Sequence, residues 1–159
     1  MIQLFTELQE KKNVRSNLSA LRASLKEATE EQKAQAIEFV RGHEDLVFGF
    51  LQEEDAKTRK NAALLLGDLA VQNALQPLWK AYTREQTLFV KSAYLEAMKA
   101  LHAEEILSQL KDRLAELEGE PVTEENRKHR EAELRALRAI LIQYEGIDTH
   151  HFDIKQKNN

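Results

Sequence analysis

Cysteine is absent from this 159-residue chain, and proline (two), glycine (five) and tryptophan (one) are scarce. Without thiols there is no disulfide framework, no thiolate metal site and no cysteine nucleophile. With so little turn-forming punctuation, long helices are favoured over many short strands. No apolar run approaches the roughly 18 residues of a membrane-spanning helix, and the N-terminal MIQLFTELQEKK lacks the apolar core and small-residue cleavage site of a secretory signal. The expectation is a soluble, cytoplasmic protein without membrane contact. Charge of one sign is lacking too: 23 basic residues stand against 27 acidic ones, a net of −4. Bulk electrostatics therefore draws the chain neither to nucleic acid nor to anionic lipid, and such contact would need a local patch. No nucleophile elbow, phosphate-cradling glycine loop or helical metal-ligand motif is present either. The reading is of a non-enzymatic protein with no cofactor and no bound metal.

What is present is helical periodicity. Ile2, Leu4, Phe5 and Leu8 form a short amphipathic first helix, and Val14, Leu18, Leu21 and Leu25 give a second, with Asn13 as its cap. Thr29 and Gln32 have the spacing of a capping box ahead of Ala36, Phe39 and Val40, and Gly42 is the expected left-handed stop. Residues 44–52 read as a short fourth helix. Asp55 caps the next, with Arg59 four residues on as its expected ion-pair partner. Ala62 to Leu66 is too apolar for a helix with one wet side, which implies neighbours on more than one flank. Asn73 is the expected cap of the following helix, in whose first turn Pro77 has no hydrogen bond to lose. Helices follow over about 85–101, 103–118 and, capped by Thr123 with Asn126 at the third position, up to Tyr144. Gly146 is the expected end of the last, so one domain over 1–146 and a tail or linker over 147–159 are predicted.

Pairing of these helices through short turns is a solenoid pattern. Ala36, Ala62, Ala93 and Ala132 align at one inner-helix position, with drifting spacings of 26, 31 and 39 residues. Small residues there let neighbouring helices approach closely. Asp55, Arg59, Ala62, Ala63, Leu66, Gly67 and Leu69, followed by Ala74-Leu75 and Pro77-Leu78, resemble the HEAT repeat, in particular the short variety of phycobilisome-lyase-like proteins. The likeness is good over about 44–101 and weak on both sides. It departs from the pattern where Val90-Lys91 replaces a second arginine and Met98 answers Gly67. The resemblance implies an all-α, right-handed α-solenoid of about nine helices in antiparallel pairs, and contact with a protein or nucleic acid along the concave surface. It implies no reaction, because fold does not fix function.

The candidate partner-binding residues are Arg59, Lys60, Lys91 and Tyr94 on the inner helices and Arg127, Lys128, Arg135 and Arg138 on the last. The last four fall within about 100° of arc, although Glu131 lies four residues from both Arg127 and Arg135. Each set has a plainer reading, as ties between repeats or as a solvated face. Trp79, Tyr82, Phe89 and Tyr94 read as core in preference to a base-stacking platform, with Tyr94 either filling a groove or facing it. Asp148, His150, His151 and Asp153 have metal-ligand chemistry but no preorganising context. The function expected is a scaffold or adaptor for a protein partner. The alternative is an N-terminal recognition module of a larger RNA-acting enzyme, such as a methyltransferase.

Overall fold

The computed structural model describes the backbone of residues 1–158 and the side chains of residues 1–144. The described residues form nine α-helices and two short 3-10 turns, with no strand, so the chain is all-α. The helices are α1 (Ile2–Gln9), α2 (Val14–Lys26), α3 (Glu30–Gly42), α4 (Glu44–Phe50), α5 (Ala56–Asp68), α6 (Leu75–Arg84), α7 (Leu88–Ala100), α8 (Leu107–Gly119) and α9 (Arg127–Asn158). They divide into two compact units, Met1–Leu101 and His102–Asn159.

Side-chain oxygens set several helix starts. Thr29 Oγ1 accepts from the Gln32 N–H while the Gln32 side chain accepts from the Thr29 N–H, a complete capping box. Thr123 and Asn126 make the same reciprocal pair, so the shorter amide serves as well as glutamine there. Asp55 accepts from the Thr58 N–H at 2.9 Å and from its hydroxyl at 2.8 Å. These bonds, the hydroxyl's foremost, hold the Asp55 carboxyl below its ordinary value.

Three expected boundaries are corrected, and one expected cap keeps its place without its side-chain bond. Gly42 is the last helical residue of α3 with no positive φ, and His43 closes the turn at φ −138°. Asn13 occupies the cap position of α2 at φ 45°, but its side chain makes no capping bond. Asn73 lies inside a 3-10 turn and donates to Glu44 instead of capping α6. Finally, α9 passes through Gly146 into the stretch assigned to a tail.

An alanine, not a glycine, takes the left-handed position that closes α5. Ala70 has φ 51°, its N–H bonds the Gly67 carbonyl, and the Val71 N–H bonds that of Leu66. That is a Schellman closure, with Val71 and Leu66 both buried beside it.

Within the first unit α5 packs between α2 and α7, with α4 and α6 against this layer. Arg15 reaches Asp55 at the start of α5, and Arg22 reaches Asp68 at its end, so α2 and α5 run parallel. Early in α5, Arg59 meets Glu85 just before α7, and late in α5, Gly67 meets Ala97 late in α7, so these two are parallel as well. Having neighbours on both flanks explains why Ala62, Ala63, Leu65 and Leu66 are all buried. Each buried leucine contributes ~1.5–3 kcal/mol relative to an exposed one. Helices α5 and α7 approach closely at Gly67, where an added Cβ would lie 2.9 Å from Ala97 Cα.

The inner-helix alignment changes in two places. α2, not α3, is the neighbour of α5; α3 instead touches α4 and stacks Phe39 on Phe5 of α1 at 4.4 Å. In the second unit α9 packs on α8 through Leu134, Leu137, Ile140 and Leu141, and the Ala103 N–H donates to the Tyr144 hydroxyl at 2.7 Å. On α9 it is Glu133 that is buried, while Ala132, aligned with Ala62, is only half-buried.

Candidate functional site

Arg59 is the fourth residue of α5, and its position decides what the neighbouring polar residues can do. One edge of its guanidinium grips Glu85 bidentately, Nε to Oε1 and Nη2 to Oε2, both at 2.9 Å. Nη1 donates to the Glu53 and Glu54 carbonyls at 2.8 and 2.7 Å, tying down the chain that follows α4. Glu85 accepts further from the Tyr94 hydroxyl at 3.0 Å and the Thr87 N–H at 3.2 Å. The Glu85 side chain is only 5% exposed, but every oxygen has donors. Burial pushes its carboxyl up, and the bonds from Arg59, Thr87 and Tyr94 outweigh that, leaving it below its ordinary value. Burial foremost, then the Glu85 charge, pushes the Tyr94 hydroxyl up. Tyr94 therefore stays a neutral donor throughout the ordinary pH range.

This cluster forms part of the wall of a cleft of about 530 Å³ in the first unit, between the α4–α5 connection and the end of α6. Phe48, Leu51 and Pro77 give it apolar sides, and Lys80, Arg84 and Gln86 also line it. Arg59 and Tyr94, two of the candidate partner-binding residues, thus come together through a third residue, Glu85, and both are turned inward. Tyr94 is fully buried, with its ring in the interior behind the cleft wall. The expected Asp55–Arg59 ion pair does not form: Asp55 pairs with Arg15 at 3.4 Å, and Arg59 with Glu85.

Lys60 and Lys91 lie elsewhere. Lys91 places Nζ 5.5 Å from the centre of the Tyr82 ring, on the α6 side of α7. Lys60 shares a row with Lys57, Leu64 and Asp68, within about 80° of arc on α5. All four are exposed or half-exposed. Of the aromatic set, Tyr82 and Tyr94 are buried and Trp79 packs on Tyr82 at 5.4 Å, but Phe89 is 46% exposed and does not belong to the core.

On α9, Arg127, Lys128, Arg135 and Arg138 are all exposed. Arg138 reaches Glu118 at 3.6 Å. Arg135 and Arg138 flank a shallow hollow of about 590 Å³ with Leu134, Ala139 and Ile142. Arg130, the fourth residue of α9, donates to the Leu117 and Glu118 carbonyls at the end of α8. Arg59 does the same for the chain that follows α4, from the fourth position of its own helix. Setting Arg130 on Arg59 gives an offset of 71 residues. It brings the buried Glu133, Leu134, Leu137 and Ile140 onto the buried Ala62, Ala63, Leu66 and Leu69. The alignment of Ala132 with Ala62 is thus one residue out of phase with burial. Glu133 answers the buried-acid theme with its own bidentate arginine, Arg113, at 2.9 and 3.4 Å.

Glu85, Arg113 and Glu133 went unrecognised in the sequence. Glu85 sits among polar residues at a helix boundary, with no local pattern to show burial; the only signal is its place opposite Arg59 once α5 and α7 are known to pack. No group of three or more potential metal ligands assembles among the described residues. Asp148, His150, His151 and Asp153 lie outside the described side chains. Comparison of the chain with protein-family models, with curated proteins and with solved structures finds no match in any of the three.

Proposed function

We propose that this protein is a scaffold that binds a protein partner through the open face of α2, α5 and α7, as a HEAT-like right-handed α-solenoid would. One observation carries the reading: α2, α5 and α7 form a parallel layer, joined by the Arg15–Asp55, Arg22–Asp68 and Arg59–Glu85 pairs. Parallel inner helices with antiparallel returns are the arrangement in which successive repeats bury one another and leave a ladder of polar side chains for a partner. The open positions on this layer include Ser19, Leu64 and Ser92.

The test is site-specific photocrosslinking in the native host from residues placed at Ser19, Leu64 and Ser92, with Gln35 on α3 and Gln76 on α6 as controls. A protein crosslinked from the first three and not from the controls supports the reading. Crosslinks confined to α3 and α6 overturn it.

A second reading is a nucleic-acid recognition module of a larger RNA-acting enzyme. Arg127, Lys128 and Arg135 favour it, being exposed and outside every ion pair among the described residues. Phosphate contacts by such a row would make RNA binding fall steeply with salt. RNA binding undetectable at low ionic strength removes this reading.

A further inference from the structure

The open rows of α2 and α5 form a cationic ridge. Arg15, Ser19, Arg22 and Lys26 fall within about 60° of arc on α2, and Lys57, Lys60, Leu64 and Asp68 within about 80° on α5. The Arg22–Asp68 bond at 2.7 Å joins the rows. Two of the five cations are matched internally, Arg22 by Asp68 and Arg15 by Asp55. Lys57 and Lys60 make no ion pair or hydrogen bond among the described residues, although the Lys57 charge is felt by Asp55.

Lys57 conflicts with its own helix. A cation in the first turn of a helix opposes its dipole, and α5 has no acid in its first turn beyond the Asp55 cap. Arg59 nearby has Glu85 as compensation. Lys57 has only the nearby Asp55 charge and Lys60 has no ion pair among the described residues, and cations left this open mark a position available for contact.

We propose that this ridge takes a carboxylate-rich segment of a protein partner, with an apolar side chain of that segment resting on Leu64 between Lys60 and Asp68. The shape of the charge favours this partner over a nucleic acid. From Lys57 to Leu64 the ridge runs about 10 Å along the helix, the length of about three extended residues. Asp55 and Asp68 close it at either end, where a continuing phosphate backbone would meet carboxylates. The half-exposed Leu64 offers an apolar contact that a phosphate backbone does not use.

The proposal rests on the protein-scaffold reading and can fail without it. Binding of a fluorescein-labelled poly-glutamate peptide to the full chain is measured by anisotropy at low ionic strength, beside an oligouridylate of equal charge. Peptide affinity should exceed that for the oligouridylate. It should fall about tenfold or more in the exposed-surface variant Lys57→Glu/Lys60→Glu and hold within about twofold in Lys80→Glu/Arg84→Glu on α6. No peptide binding, equal loss in both variants, or tighter binding of the oligouridylate overturns the proposal. Crosslinks from Ser19 and Leu64 to a protein would still stand in that event, which separates failure of the acidic-segment assignment from failure of the scaffold reading.

Discussion

Replacing Glu85 by glutamine tests whether the Arg59 cluster holds the first unit together. The carboxylate accepts from Arg59 Nε and Nη2, the Tyr94 hydroxyl and the Thr87 N–H. An amide keeps one acceptor oxygen and turns the other position into a donor that faces donors. It also leaves the guanidinium without its counter-charge. Breaking a buried ion pair costs ~3–5 kcal/mol. Here 17% of the Arg59 side chain is exposed and its two backbone carbonyls remain, which lowers the expectation to about 2–3 kcal/mol. Against a typical domain stability of ~5–15 kcal/mol that is a large share. The single tryptophan, Trp79, lies on α6 in the same unit, so urea unfolding followed by its fluorescence reads this unit directly. A double-mutant cycle with Arg59→Met should give a coupling of ~1–3 kcal/mol. Acid dependence provides an independent check. The folded Glu85 carboxyl lies below its ordinary 4.5, so between the two values the unfolded chain binds more protons. Its contribution is complete above the ordinary value and is lost as pH falls through the folded one. Glu85→Gln should remove that acid-side loss. A cost under about 0.5 kcal/mol together with an additive cycle would refute the reasoning.

Two further substitutions probe the helix layer. Gly67→Ala should cost ~1–3 kcal/mol in the same unfolding assay. The added Cβ meets the Ala97 main chain at 2.9 Å, so adding Ala97→Gly should not restore stability. Ala70→Gly should stabilise by ~0.5–1 kcal/mol, read as a rise in melting temperature, because glycine accepts φ 51° without the Cβ strain that alanine carries in the left-handed region.

Where helices lie was legible because apolar spacing and polar start signals are local. The Leu18–Leu21–Leu25 stripe, the Thr29–Gln32 box and the Asp55 cap could be read from neighbours in the chain. Glycine as a stop was less informative. The left-handed closure falls on Ala70, since the Gly67 and Leu66 carbonyls both find N–H partners there and packing overrides propensity. The candidate site was legible in composition but not in direction. Lys60 and Arg59 are adjacent in sequence and about 100° apart on the helix, so one lies on the open row while the other turns inward to an acid 26 residues away.

The sequence alone determined an all-α chain, most of its helix starts and the crowded, apolar character of α5, because each depends on residues within a few positions of one another. Only the tertiary structure decided that α2 flanks α5 in place of α3, that Arg59 and Tyr94 converge on Glu85, and that Gly67 is small because Ala97 lies against it. Those facts depend on which distant helices come together, and packing distance between them is not written in the spacing of either.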